Sequence, residues 1–373
     1  MSVAERHAAL HWTVLAPLVS LLVLILTWNR HEHPVILTII AICLVAAVLS
    51  AVHHAEVVAH RLGEPVGSLV LAVAGTIIEV GVIVMLMIGG GPGTSTYARD
   101  TVFAAVMITL NGIVGFSLLV GALRHRTVAF NASGSGSALA TVATLCGLCL
   151  VLPGFTVSKP GLAYTDSQLA FAAVTSLVLY CAFVFSQTVR HRDFFLPVAV
   201  DRHGRVTGPR VDEDTDHADP PSAARARASL GLLLAALVSV VGLAKLLSPT
   251  ITHAVSNLGL PYAVVGVVIA LVVLAPETIA AVNNARRDRV QISLNLAYGS
   301  AMASVGLTIP TIAVVMIWLP GPLTLGLMPM QIVLLTLSVI VSVLTLAQGR
   351  AVVLEGVVHL SLLATFLFLS AQP

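Results

Sequence analysis

Apolar runs of eighteen residues or more recur along this chain from near Trp12 to near its last residues, separated by short polar breaks. Each run is long enough to cross a hydrocarbon core of about 30 Å as a helix. In hydrocarbon every backbone N–H and C=O must find a partner within the protein, so only helices and closed barrels can span. A barrel would show alternating segments of about ten residues, and this chain does not. Composition agrees: 57% of the residues are hydrophobic and 10% charged, where a soluble domain carries about a quarter charged residues. The fold class is therefore all-α polytopic membrane protein, with lipid as its surroundings. The net charge of +2 gives no reason to expect a nucleic-acid partner.

Eleven helices are expected, over about 10–28, 34–58, 66–89, 100–122, 137–153, 168–187, 229–247, 261–283, 292–318, 328–347 and 352–370. The first is a retained helix rather than a signal peptide: it is longer than the usual apolar region and has no clear small-residue cleavage site. Breaks such as GGGPG (89–93), ASGSGS (132–137) and LPG (319–321) carry turn chemistry. Positive charge sets the orientation. With the N-terminus inside, Arg6, Arg61, Arg124, Arg126, Arg286, Arg287, Arg289, Arg350 and the arginines of 190–227 all lie inside, against Arg30, Arg99 and Lys159 outside. Eleven crossings then put the C-terminus outside, and a bacterial-type inner membrane is expected. Cys43, Cys146, Cys149 and Cys181 fall in apolar runs, so CGLC (146–149) is expected to be packing rather than redox chemistry.

The domain expectation is an extra helix over 1–30, a first half over 34–189, an acidic cytoplasmic linker over 190–228 and a second half over 229–373. The linker is low in apolar residues and carries Asp201, Asp212, Glu213, Asp214, Asp216 and Asp219. It is expected to be a flexible solvated hinge, or else a weak regulatory site for cations. Each half has five crossings, an odd number, so the two enter the membrane from opposite sides. That is an inverted repeat, an architecture of secondary transporters.

Two acids make the repeat chemical. Glu79, in GTIIEVGVIV, lies on the second helix of the first half; Glu277, in VVLAPETIAAV, lies on the second helix of the second half. A charge at mid-bilayer costs about 2.5–3.5 kcal/mol on insertion scales, and no Lys or Arg lies nearby in either helix to offset it. Two carboxylates sharing a site can bind a cation through oxygen, as Ca2+ requires. They can also hold protons, since desolvation and mutual repulsion favour the neutral acid. The two states in competition make an exchanger, with Glu79 and Glu277 as the metal-ion ligands. Two protonated glutamates serving only as interhelical donors would not account for the inverted pairing. Thr76, Asn111, Asn295, Ser300 and Ser304 are candidate oxygen partners, with Thr278, Asn283 and Asn284 close in sequence. Pro276 frees a carbonyl in its helix. Asn111 corresponds to either Asn295 or Ser304 in the repeat.

Three segments, GEPVGSLVLAVAGTIIEV, ARDTVFAAVMITLNGIVG and NLAYGSAMASVGLTIP, together with HAEVVAHRLGEP and LAKLLSP, resemble the ChaA branch of the calcium/proton exchanger family. The resemblance runs from about residue 50 to the end. It implies eleven helices, one extra helix followed by two inverted five-helix halves with an acidic linker between them. It also implies exchange of Ca2+, and of Na+ or K+, for H+. The wider superfamily's repeat motif is typically Gly-Asn-x-x-Glu. This chain has GTIIE and LAPE instead, a thinner shell of neutral oxygens that fits mixed selectivity.

His53, His54, Glu56 and His60 form either a cytoplasmic entry for protons or cations, since His titrates near neutrality, or a solvated helix end. Glu355 and His359, four residues apart, are expected to form a structural pair. An enzyme is not expected: HHAEVVAH has the wrong spacing for HExxH, and Ser135 has no His at matching depth. A channel is the weaker rival, since filters are usually rings in symmetric oligomers. The primary reading is a Ca2+/H+ antiporter working by alternating access, with Na+ or K+ exchange at the same site as the alternative. No resident cofactor is expected, and a homo-oligomer is possible.

Overall fold

The structure is a computed structural model that describes residues 3–29, 33–63, 66–90, 93–200, 206–209, 221–319 and 321–373. It is almost wholly helical: α1 (Val3–Thr27), α2 (Pro34–Leu62), α3 (Val66–Gly89), α4 (Tyr97–Met107), α5 (Val114–His125), α6 (Ala132–Cys146), α7 (Asp166–Phe185), α8 (Ala223–Asn257), α9 (Ala263–Arg286), α10 (Val290–Gly306), α11 (Thr308–Val315), α12 (Pro329–Ala347) and α13 (Val353–Ala371). A π-turn, Ile108–Ile113, joins α4 to α5 as one span, and α10 and α11 form another. Among the described residues ten helices are long and apolar enough to cross a membrane, with the shorter apolar stretch Trp12–Thr27 of α1 before them. The order is thus one helix, five spans (α2 to α7) and five more (α8 to α13).

Helix starts follow local chemistry. The Thr165 hydroxyl accepts from Gln168 N while the Gln168 side chain accepts from Thr165 N, closing a capping box on α7. Asn131 caps α6 and Ser222 caps α8. The largest departure from the expected boundaries is α8, which runs through Pro249 to Asn257 where the sequence suggests an end near residue 247. Proline removes only the donor for the Lys245 carbonyl, and the helix continues through it to Asn257. The linker is also more ordered than expected at its start: β2 (Val198–Val200) pairs antiparallel with β3 (Val206–Pro209). Its acids Asp201, Asp212, Glu213, Asp214, Asp216 and Asp219 lie outside the described residues.

The chain forms two compact units, each drawn from both sequence halves. The first holds Met1–Thr94 and Asp216–Val265. Within it α2 packs on α1, α3 and α8. Glycines permit close approach: a Cβ on Gly81 would meet Val241 at 2.5 Å, and one on Gly242 would meet Leu24 at 2.5 Å. Buried polar contacts tie α1 to α2, among them Ser20 Oγ to Cys43 O at 3.0 Å. Pro17 has no N–H to give the carbonyl of Thr13, four residues earlier. That oxygen accepts instead from Ser50 Oγ at 2.7 Å and from His54 Nε2 at 3.0 Å, both buried on α2.

The second unit holds Ser95–Thr215 and Gly266–Pro373. A two-residue ladder, β1 (Val128–Ala129) with β4 (Arg350–Ala351), pins the turn after α5 to the turn before α13. Gly112, Gly115 and Gly356 let α13 lie directly on the π-turn and α5. A Cβ on Gly356 would sit 2.6 Å from Leu119 N and 2.8 Å from Leu119 Cα. Those are backbone atoms and cannot swing away. Gly356→Ala is therefore expected to destabilise this contact by about 1–3 kcal/mol, seen as a lower Tm of the purified protein. An unchanged Tm would show that the helices can part without cost.

At the start of α4, Arg99 Nε donates to Asp100 Oδ1 at 2.8 Å, and Arg99 Nη1 donates to Gly326 O at 3.3 Å. Both side chains are buried. The same extended segment is held by Thr324 N to Ser95 O and by Leu327 N to Leu150 O, each 2.8 Å. Sequence reading placed Arg99 among the outside charges; the structure makes it one half of an internal ion pair. All four cysteines are unbridged. Cys43, Cys146 and Cys149 are buried and Cys181 is exposed.

Candidate functional site

Glu79 stands ten residues before the end of α3 and is 5% exposed. Glu277 stands nine residues before the end of α9 and is half-buried. The two acids thus hold matching places on the second span of each half. Each has a threonine whose hydroxyl turns back on its own helix: Thr76 Oγ1 donates to Ala72 O, and Thr278 Oγ1 donates to Leu274 O, both at 2.8 Å. That uses the hydroxyl proton and leaves the oxygen lone pairs as acceptors. Pro276 lies inside α9 and removes the N–H that Val272 O would otherwise receive. A Cβ on Gly75 would meet nothing within 4 Å, so space lies beside that turn of α3. Among the described residues no three His, Cys, Asp or Glu side chains gather as a metal-binding cluster. The oxygen chemistry here is that of carboxylate, hydroxyl and carbonyl, suited to hard cations.

The other expected partners divide. Ser300 and Ser304, one turn apart on α10, are half-buried and buried respectively. Asn111 and Asn295 are committed elsewhere. Asn295 Nδ2 donates to Phe195 O, and its Oδ1 accepts from Gln291 Nε2 at 2.8 Å. Gln291 in turn accepts from Asn131 N at 2.6 Å, so this amide chain fastens α10 to the start of α6 and to the turn after α7. Asn284 Nδ2 bonds to Ala280 O of its own helix.

Asn111 is fully buried in the π-turn. Its Nδ2 donates to Ser338 Oγ at 2.8 Å, and its Oδ1 lies 3.3 Å from His359 Nδ1. His359 Nε2 lies 3.2 Å from Thr345 Oγ1. The expected pairing of Glu355 with His359 is not the one that forms, because Glu355 Oε2 accepts from Val352 N and caps α13. His359 is thus hydrogen-bonded to Asn111 and Thr345 rather than to Glu355. Its four-residue spacing from Glu355 was visible, whereas its neighbour 248 positions away was not.

Of the four residues expected at a cytoplasmic entry, His54 is turned into the protein against Thr13. His53 is half-buried and touches the His54 ring edge-on at 5.4 Å; Glu56 and His60 are exposed. His54 therefore serves the α1–α2 contact.

The sequence profile described as "Sodium/calcium exchanger protein" matches residues 32–189 and 228–372. The chain belongs to the sodium/calcium exchanger family. It is a transporter, not an enzyme, and its kinship supports cation/proton or calcium/cation exchange. The two matched stretches leave out α1 and most of the linker. Among its relatives, a putative ionic transporter, y4hA, of Sinorhizobium fredii is 43% identical over 100% of this chain and 99% of its own length. The sodium-potassium/proton antiporter ChaA of Escherichia coli is 30% identical over 98% of this chain and 97% of its own. In fold, the chain is similar to native YfkE, with a TM-score of 0.71 at 16% identity, covering 97% of this chain and 100% of that one. It is also similar to the H+/Ca2+ exchanger CAX, with a TM-score of 0.68 at 17% identity over 99% and 93%.

Proposed function

We propose that this family member is a cation/proton antiporter in which Glu79 and Glu277 carry the cation and the protons in turn. The observation that carries the reading is one carboxylate per half, at matching places along the second span, with Thr76 one turn before Glu79. With both acids ionised, their charge together with Thr76, Ser300, Ser304 and the carbonyl of Val272 suits a bare cation. With both protonated, the empty carrier returns without an uncompensated charge in the bilayer. Alternating access between the inverted halves (34–189 and 229–373) moves the load. With the N-terminus inside an inner membrane, an inward proton gradient drives cation export.

Two negative charges favour Ca2+ as the cargo. A second reading, Na+ or K+ for H+, is favoured by the similarity to the sodium-potassium/proton antiporter, and by GTIIE and LAPE, which lack an asparagine beside the acid. The test is dye-reported pH in inverted vesicles as each cation is added alone. Collapse of the gradient by micromolar Ca2+ supports the first reading. Collapse only by millimolar Na+ or K+ supports the second, and collapse by none overturns both.

A further inference from the structure

We propose that the groove between α1, α3 and α8 is a binding site for an anionic phospholipid, with an acyl chain in the groove and the headgroup phosphate at Lys245 beside Trp28. The site goes beyond ion exchange and does not rest on the exchange reading above.

The groove encloses about 430 Å3, within the range of about 300–1,000 Å3 usual for small-molecule sites. Apart from Lys245 and the Trp28 indole its lining is apolar. Its walls are drawn together by contacts already described, Gly242 on Leu24 and Gly81 on Val241. Its rim is open: Val238 is 58% and Ile77 44% exposed. Water entering such a slot would find no polar partners, and the open side of a spanning helix group faces hydrocarbon. The groove also has the length of a lipid tail. α8 runs eight residues from Leu237 to Lys245, about 12 Å at 1.5 Å per residue. One leaflet of the hydrocarbon core is about 15 Å deep.

Charge decides which lipid fits. Lys245 is exposed on α8, and its Nζ lies 4.9 Å from the centre of the Trp28 ring. Among the described residues the ion pair is Arg99 with Asp100, and no carboxylate pairs with Lys245. α8 has no Asp or Glu along its 35 residues. On α3 the acid is Glu79, six residues before Met85 of the groove wall and so about 9 Å away along the helix. The ammonium has three N–H donors, and a ring face answers one direction only. Trp28 follows the last residue of α1, the place where tryptophan marks the level of the headgroups. A phosphate oxygen there can accept from Lys245 while its own chain fills the slot below. A zwitterionic headgroup would bring a cation of its own to the same place, so a net-anionic headgroup is favoured.

Trp28 supplies the probe. The chain has three tryptophans, and Trp12→Phe with Trp318→Phe leaves Trp28 as the single fluorophore. That protein is reconstituted in phosphatidylcholine vesicles, and quenching of Trp28 is measured with brominated phosphatidylglycerol and with brominated phosphatidylcholine. The anionic lipid is expected to quench at about fivefold lower mole fraction, the contribution of one lysine near an anionic headgroup. Lys245→Gln should make the two lipids equal. Val238→Phe, which fills the slot, should weaken quenching by both. Should Lys245→Gln not insert, 1 M salt, where the Debye length is about 3 Å, should lower the preference in the Trp28-only protein. Equal quenching by the two lipids in the Trp28-only protein overturns the proposal. So does a preference that survives both Lys245→Gln and salt, or quenching untouched by Val238→Phe. Disulfide-linked dimers of a Val238→Cys variant in native membranes would assign the groove to a second copy of the chain and overturn it as well.

Discussion

Replacing Glu79 or Glu277 by glutamine is expected to abolish cation-driven proton flux while the protein still inserts and purifies as the wild type does. Glutamine keeps the size and one carbonyl oxygen of the side chain, so the packing around Glu79 should survive. It loses the negative charge that draws the cation and the oxygen that takes the proton, so both half-cycles fail together. Changes outside the ligand shell alone cost about 10–100-fold in metal affinity; loss of a ligand carboxylate should lower flux by at least about a hundredfold. The two variants should be equally dead, because each half contributes one acid. Dye-reported flux in vesicles, normalised to the protein inserted, is the readout. Wild-type flux in both would remove the glutamates from the mechanism. Loss in one alone would leave a single-carboxylate carrier, which suits a monovalent cargo better than Ca2+.

Arg99→Met is expected to destabilise the protein by about 3–5 kcal/mol. The substitution leaves the Asp100 carboxylate buried without the guanidinium 2.8 Å away, and removes the bond from Arg99 to Gly326 O. Asp100 lies in the first turn of α4, where the helix dipole favours a negative charge, which softens the loss without cancelling it. The space is not adjustable: a Cβ on Gly266 would already sit 2.8 Å from the backbone at Asp100 and Thr101. Removing both charges, as Arg99→Met with Asp100→Leu, should restore most of the stability, since a buried pair replaced by apolar groups is often neutral. Denaturation of the three proteins in detergent gives the comparison. If Arg99→Met alone melts with the wild type, the pair contributes nothing.

The spans were legible because hydrocarbon leaves the backbone little choice, and eighteen apolar residues state the result directly. Boundaries failed where a residue's usual preference was outweighed: Pro249 argues for an end, but it costs α8 a single donor and the helix runs on to Asn257. The places of Glu79 and Glu277 were legible because acids are rare and costly there. The partners of polar residues were not. Asn111 and Asn295 are equally plausible cation ligands on a helical wheel, yet each is held by residues far away in sequence, His359 and Phe195. Arg99 counts as one more positive charge in a topology argument, and nothing local says that its neighbour Asp100 is folded inward with it.

The contact at Thr13 bears on how the chain is made. α1 is made before α2 and carries a proline that denies one of its carbonyls an intrahelical donor. The donors that satisfy it, Ser50 and His54, follow 37 and 41 residues later. In lipid an unmet carbonyl costs several kcal/mol, so α1 partitions less favourably alone than with α2. α1 and α2 are best released into the bilayer as a joined hairpin, so the helix that lies outside the two five-span runs is tied to the first run from its insertion onward.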